Sequence, residues 1–224
     1  MRSTTRRKTA PARALGRPPG ISSARGKILQ GATVAFGKKG YAATAVEDIL
    51  EAAGVSRRTF YRFFSNKDEV FQAIYEVATT MLFQGLRSVS ESKDEPLRKL
   101  ERVAETFLRL QVGAGPIARV LNAEAQRPGS VISGQRQALL KQLVSLFQDE
   151  IEKAGRGRVD PLLIRGLAAA LEQISLGILS ETERTETDIQ RGLHAILRIM
   201  EGTLVDSKEA AKIRPLPLDP ARKE

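Results

Sequence analysis

The chain has 224 residues, 42% hydrophobic and 28% charged, with a net charge of +10, a globular composition long enough to bury a substantial core in one large domain or two small ones. It contains no cysteine, which excludes a disulfide framework and a thiolate metal site; with no apolar run approaching the roughly 18–20 residues of a membrane span and no secretory signal at its start, a cytoplasmic protein without membrane contact is expected. The charge is concentrated, because residues 1–75 carry 14 Lys or Arg against 5 Asp or Glu and the remainder 22 against 21, and such a local positive field suits binding to phosphate.

Residues 1–23 hold Arg2, Arg6, Arg7, Lys8, Arg13 and Arg17, no acid and three prolines. Nothing there can build a core, so the segment reads as a disordered basic arm. Gly16-Arg17-Pro18 resembles the centre of AT-hook segments, in which an arginine enters a narrow A·T minor groove; a purely solvating tail and an organelle transit peptide are the alternatives. From about Ser23 to Lys38, Ile28, Leu29, Ala32, Ala35 and Phe36 repeat at helical spacing and Gly40 closes a first helix.

The stretch from Thr44 to Lys67 reads as two short helices across a glycine turn. Thr44 and Glu47 have capping-box spacing, with Thr44 as the N-cap. Val46, Ile49, Leu50 and Ala53 then share a face, and Gly54 stands where a helix leaves through a left-handed residue. Ala52 and Ala53 leave room for close packing. Ser56 is a good N-cap for a second helix running to about Phe63. In that helix Phe60, Phe63 and Phe64 are apolar at helical spacing, whereas Arg57, Arg58, Thr59, Tyr61 and Arg62 carry hydrogen-bond donors. Double-stranded DNA suits such a face, because helix N-termini receive phosphates and arginine makes forked bonds to guanine in the major groove.

Thr44, Ile49, Ala53-Gly54-Val55-Ser56, Thr59, Tyr61, Phe64 and Lys67 reproduce a spaced pattern that resembles the DNA-binding domain of the TetR family of bacterial transcriptional repressors, over roughly residues 24–75. Leu50 stands where that family usually has alanine, and Arg58 where it often has glycine. The resemblance implies DNA contacts from Thr44, Ser56, Arg57, Arg58, Thr59, Tyr61 and Lys67, with Arg57, Arg58 and Thr59 facing bases and Thr44, Tyr61 and Lys67 holding phosphates. Arg17 of the arm joins them as a minor-groove candidate.

Ser65 and Asn66 can cap a long helix with Asp68 and Glu69 in its first turn; Val70, Phe71, Ile74, Val77, Ala78, Met81 and Leu82 carry its apolar stripe to about residue 85. Three further helices are expected at 94–112, about 115–127 and about 131–154. A pocket among them would have mainly aliphatic walls and take a small apolar or amphipathic effector, although core packing is the plainer role of any one of these residues. Two final helices carry matched stripes, Leu163, Leu167, Ala170, Leu171, Ile174 and Ile178 in one and Ile189, Leu193, Ile196, Leu197, Met200 and Leu204 in the other. Paired with a second copy they would form a four-helix interface through Leu163, Leu167, Leu171, Ile174, Ile178, Leu193, Ile196, Leu197 and Met200, as the resemblance also implies; covering their own subunit's core is the alternative. His194 is the only histidine and makes no catalytic or metal cluster.

The expected architecture is all-α: a basic arm (1–23), a three-helix helix-turn-helix head (24–70), a helical-bundle body for ligand binding and dimerisation (71–206) and an irregular tail (207–224). The expected function is that of a ligand-responsive, sequence-specific transcriptional regulator, a repressor acting as a homodimer on a palindromic operator. An effector-independent DNA-coating protein of the nucleoid type is the alternative. No glycine-rich phosphate loop, metal-ligand cluster or nucleophile–base pair suggests an enzyme, a cofactor or a metal.

Overall fold

The computed structural model describes residues 23–153, 159–181 and 185–204; the basic arm with Arg17 and the expected tail lie outside the described residues. Among the described residues the chain is all-α: α1 (Ala24–Lys39), α2 (Val46–Ala53), α3 (Arg57–Tyr61), α4 (Lys67–Ser90), α5 (Pro96–Ala114), α6 (Pro116–Gln126), α7 (Ser133–Lys153), α8 (Pro161–Ser180) and α9 (Glu186–Leu204). Local chemistry sets most of these boundaries. Ser23 accepts the Gly26 N–H at 3.1 Å, Asn66 the Glu69 N–H at 2.9 Å and Asp160 the Leu162 N–H at 2.8 Å, while proline fills the first position of α5, α6 and α8, where its missing N–H costs nothing.

Two helix limits differ from the expected ones. The second helix of the turn motif stops at Tyr61 rather than near Phe63, and the N–H groups of Phe63 and Phe64 both donate to the Phe60 carbonyl as the chain tightens into a turn. The helix after it runs on to Ser90, five residues beyond expectation, because Leu86 and Val89 continue the buried stripe.

The head is built on a close crossing of α1 and α2. At Gly31 a Cβ would stand 2.5 Å from the Ala53 nitrogen and 2.6 Å from its Cα, so backbone meets backbone and only glycine fits. Ile28, Ala32, Phe36 and Ile49 are fully buried at this junction. Phe36 meets Phe71 of α4 edge-on at 5.0 Å, and Tyr41 closes the triangle at 4.7 Å from Phe71. The core does not stop there: it continues without a break through Ile74 and Leu82 of α4, Ile117 and Leu121 of α6 and Leu139 of α7.

A second core forms where α5 packs on α8 and α9. Here the expected interface stripes need correction. Ile178, Leu193, Ile196 and Met200 are at most 7% exposed and pack with Ala104 and Leu108 of α5, and the half-buried Leu167, Leu171, Ile174 and Leu197 pack against the same group. The stripes face inward because α5 lies across them, with Leu108 fully buried, and Gly192 lets Ile178 and Ile174 approach. Of the nine residues expected at the interface, Leu163 alone is exposed, at 46%; its neighbour Leu162 is more so, at 72%.

The sequence reading of apolar runs is corrected as well. By length and composition α8 is long and apolar enough to cross a membrane. Its Ile164, Glu172, Ser175, Ile178 and Leu179 are buried within the bundle, and Glu172 is ion-paired with Arg136 of α7.

The crossing at Gly31 yields a stability prediction. Gly31→Ala should lower the unfolding free energy by about 1–3 kcal/mol, as overpacking against backbone does, whereas Gly113→Ala, with open space around its Cβ, should gain up to about 1 kcal/mol from helix propensity. Urea unfolding of the two variants checks the contrast.

Candidate nucleic-acid interface

The turn between α2 and α3 presents the donors expected from the sequence. Gly54 takes up φ 60° and ψ 40°, and the Val55 N–H returns to the Leu50 carbonyl at 3.2 Å, so the chain reverses in three residues. Ser56 caps α3, its hydroxyl oxygen accepting the Thr59 N–H at 3.2 Å and lying 2.9 Å from the Thr59 hydroxyl. Phe60 and Phe64 anchor the segment in the core. Arg57, Arg58, Tyr61 and Arg62 are thereby left exposed and Thr59 half-buried.

Arg57 is held in place before any partner arrives, because its guanidinium donates to the Glu47 carboxylate of α2 across the turn. The Glu47 carboxyl is held below its ordinary pKa, first by a hydrogen bond with its own backbone and then by Arg57. Lys39, in the last turn of α1, donates to Asp48 at 2.6 Å, and this pair, together with the Ala45 N–H, lowers the Asp48 carboxyl in the same direction. Each ion pair ties α2 to a neighbouring helix. Both are too exposed to contribute much stability, but they fix where the cations sit. Arg62 stacks over Phe63 at 4.7 Å and Arg25 over Phe64 at 5.3 Å, adding two guanidinium groups near the same end of the head.

Two expected phosphate contacts are placed elsewhere. Thr44 is 1% exposed, and its hydroxyl donates to the Gly40 carbonyl at 2.6 Å. It locks the α1–α2 loop from inside. The cap of α2 falls one residue later, at Ala45, whose N–H donates to the Asp48 carboxylate at 2.8 Å, so Asp48 rather than Glu47 provides the returning carboxylate. A residue sealed under the loop has no surface to offer a phosphate.

Lys67 is likewise engaged. Its ammonium donates to the carbonyls of Tyr41 at 3.0 Å, Ala42 at 3.1 Å and Thr44 at 2.8 Å, and lies 4.9 Å from the centre of the Tyr41 ring. An ammonium has three protons to donate, and the loop takes all three. Tyr41 in turn donates its hydroxyl to Asp68 at 2.5 Å; burial, then this bond, pushes its phenol above the ordinary range. The sequence gives Lys67 the place of a phosphate contact and hides its actual partners, since the carbonyls concerned lie 23 to 26 positions away from it. Glu47 as the partner of Arg57 was also missed, although ten residues across a glycine turn is a spacing that would suggest it. Among the described residues no group of three or more His, Cys, Asp or Glu side chains could hold a metal.

The clamp at Lys67 can be tested by stability alone. Lys67→Met, which keeps the stem and removes the donors, should cost about 2 kcal/mol in urea unfolding through its charged hydrogen bonds. A lysine whose ammonium is merely solvated would change the midpoint by less than about 0.5 kcal/mol.

Comparison with known proteins places this head. Residues 28–74 match the model of the bacterial regulatory proteins of the tetR family. The HTH-type transcriptional repressor KstR2 of Mycobacterium tuberculosis is 31% identical over 81 residues, 36% of this chain and 40% of that protein. The HTH-type transcriptional regulator TtgR of Pseudomonas putida is 41% identical over 71 residues, 32% of this chain and 33% of the relative. The match thus spans less than half the length of these curated relatives. Over a longer stretch, the solved structure of the TetR family transcriptional regulator PfmR from Thermus thermophilus aligns with a TM-score of 0.58 at 24% identity, covering 76% of this chain and 97% of that one; this likeness concerns the fold of head and body together. Residues 28–74 thus form a head of the tetR-family kind, and the described helices as a whole share the fold of that solved structure.

Proposed function

We propose that this chain is a ligand-responsive, sequence-specific transcriptional regulator, a repressor that acts in the cytoplasm as a homodimer on a palindromic operator and carries out no catalysis. The observation that carries the reading is the exposed, pre-positioned set on the turn motif: Arg57 held by Glu47, with Arg58 and Tyr61 on the same short helix and Phe60 fixing it from below. Arg57 and Arg58 are the base-reading candidates, Thr59 assists at the cap, and Tyr61 and Arg62 meet phosphates. Thr44 and Lys67 serve by holding the loop that orients α2. Residues 24–70 act as the reading head and 71–206 as the sensing and pairing body.

The body offers an effector site. A narrow slot with a cavity volume of about 70 Å³ lies among α4, α5, α7, α8 and α9, with Leu86, Phe107, Leu143, Phe147 and Leu171 among its walls. Leu82 and Leu86, on the slot, and Asp68, under the loop clamp, belong to one unbroken helix, α4. The fourteen residue-to-residue steps of α-helix from Asp68 to Leu82 span about 21 Å, so a ligand that spreads the slot shifts α4 and the head with it. Gly37 of α1 sits against α6, where an added Cβ would lie 3.3 Å from the Pro116 Cβ, and this gives a second rigid link. A ligand favouring the wider body lowers DNA affinity by changing the separation of two heads that must reach half-sites one helical turn, roughly 34 Å, apart.

Pairing of the two copies uses the outer surface of α8, where Leu162, Leu163, Gly166, Ala169 and Gly177 are exposed, rather than the inward stripes. Leu163→Asp combined with Leu162→Asp should convert a dimer to monomers in sedimentation, with helicity unchanged.

Selection of bound fragments from genomic DNA is the direct test of function. A few palindromic sites should be enriched; uniform coverage would instead mark a DNA-coating protein, and no retention would end the reading. On an enriched site Arg57→Ala should lose about 1–3 kcal/mol of discrimination at one base position. Competition with operators altered at single positions measures it.

A further inference from the structure

Burial of charge around the slot constrains what it can hold. Among the described residues lining it, Glu172 alone carries a charged side chain, and the others named as walls are aliphatic or aromatic. Glu172 is not available for pairing. Both of its carboxylate oxygens accept from the Arg136 guanidinium, at 2.8 and 2.7 Å, and the carboxylate and guanidinium side chains are only 10% and 16% exposed. Arg136, on α7, lies behind Glu172 and does not line the slot. Beyond it stands the buried phenol of Tyr75 on α4, hydrogen-bonded to Arg136 and holding the guanidinium further toward its charged form.

Three classes of ligand meet this wall differently. An anion entering the slot meets the Glu172 carboxylate first, with the compensating cation on the far side. A cation could draw Glu172 toward itself only by separating a two-pronged pair and leaving Arg136 buried without a partner, which is the costly way to treat a buried ion pair. An uncharged molecule disturbs neither charge, gains from apolar contact along the walls, and can at most donate one hydrogen bond to a lone pair of Glu172 that Arg136 leaves unused.

We propose that the effector is an uncharged, elongated apolar molecule, with no charged group inside the slot, selected by the self-neutralised Arg136–Glu172 pair. This rests on the reading of the slot as the effector site and narrows it: of the apolar and amphipathic molecules the walls would accept, the pair rejects those whose ionised end must be buried.

The test uses the full chain without DNA, so that its outcome is separate from that of the fragment selection. Three probes share one chain length and differ in head group: decan-1-ol, decanoate and decyltrimethylammonium, each titrated calorimetrically below its aggregation limit. Decan-1-ol should bind at least tenfold more tightly than either charged probe. Because the chain has no tryptophan, Phe147→Trp places a single reporter on the slot wall, and its emission should shift to shorter wavelength with decan-1-ol at the affinity found by calorimetry on the unaltered chain. Glu172→Gln, which leaves the guanidinium charge uncompensated, should raise the affinity for decanoate at least tenfold; its fold is checked by circular dichroism, and the ranking on the unaltered chain stands whether or not this variant folds. Equal or tighter binding of decanoate or decyltrimethylammonium to the unaltered chain overturns the proposal. So does an absence of heat and of any Phe147→Trp response with decan-1-ol, or a well-folded Glu172→Gln chain whose affinity for decanoate rises less than tenfold. Should decan-1-ol bind while genomic selection enriches no site, the regulatory reading falls and the ligand class stands.

Discussion

Three backbone carbonyls, those of Tyr41, Ala42 and Thr44, converge on the ammonium of Lys67, the first residue of α4. The loop that delivers α2 has no regular partner for these groups, and leaving the part-buried carbonyls of Tyr41 and Thr44 unmet would be costly. One lysine meets all three. With Tyr41 bonded to Asp68 and Thr44 bonded back to Gly40, the end of α1, the start of α2 and the start of α4 become a single unit. The exposed arginines of α3 inherit their position from it, since α3 itself is only five residues long and a helix that short has little stability of its own.

Continuity is the second consequence of that junction. The Phe36–Tyr41–Phe71 triangle belongs to the same core as Leu82 and Leu139, so among the described residues head and body share one packed core. Close-packed interiors pass displacement on instead of absorbing it, and α4 runs from the clamp to the wall of the slot. The other core, of α5, α8 and α9, abuts the slot through Ala104, Ile196 and Met200. The slot therefore lies between the core that carries the head and the core that bears the exposed face of α8.

Much of the fold was legible because it is written locally. Helical spacing of Ile28 to Phe36, the caps at Ser56 and Asn66 and the left-handed Gly54 are short-range signals, and the helices begin and end close to where those signals stand. The candidate site was half legible. Arg57, Arg58 and Tyr61 are exposed as their positions implied, since a helix anchored by Phe60 must turn its other residues outward. Thr44 was misread because a threonine three residues before a glutamate has the same spelling whether it caps a helix or seals a loop; the Gly40 carbonyl, fixed by the exit of α1, decides between them.

By itself, then, the sequence determined that the chain is helical, where its helices lie, which residues share a face and where positive charge gathers, because each of these depends on neighbours within a turn or two. Only the tertiary structure decided what covers each face. The stripes of α8 and α9 had the period of an interface, yet α5 lies over them and makes them core. Lys67 had the place of a phosphate contact, yet a loop more than twenty residues earlier takes its protons. Glu172, within an otherwise apolar helix, had no partner in view until Arg136, 36 residues before it, came within 2.7 Å. Periodicity fixes the direction in which a side chain leaves its helix; what it meets there depends on how distant segments pack, and burial and charge pairing are settled only at that contact.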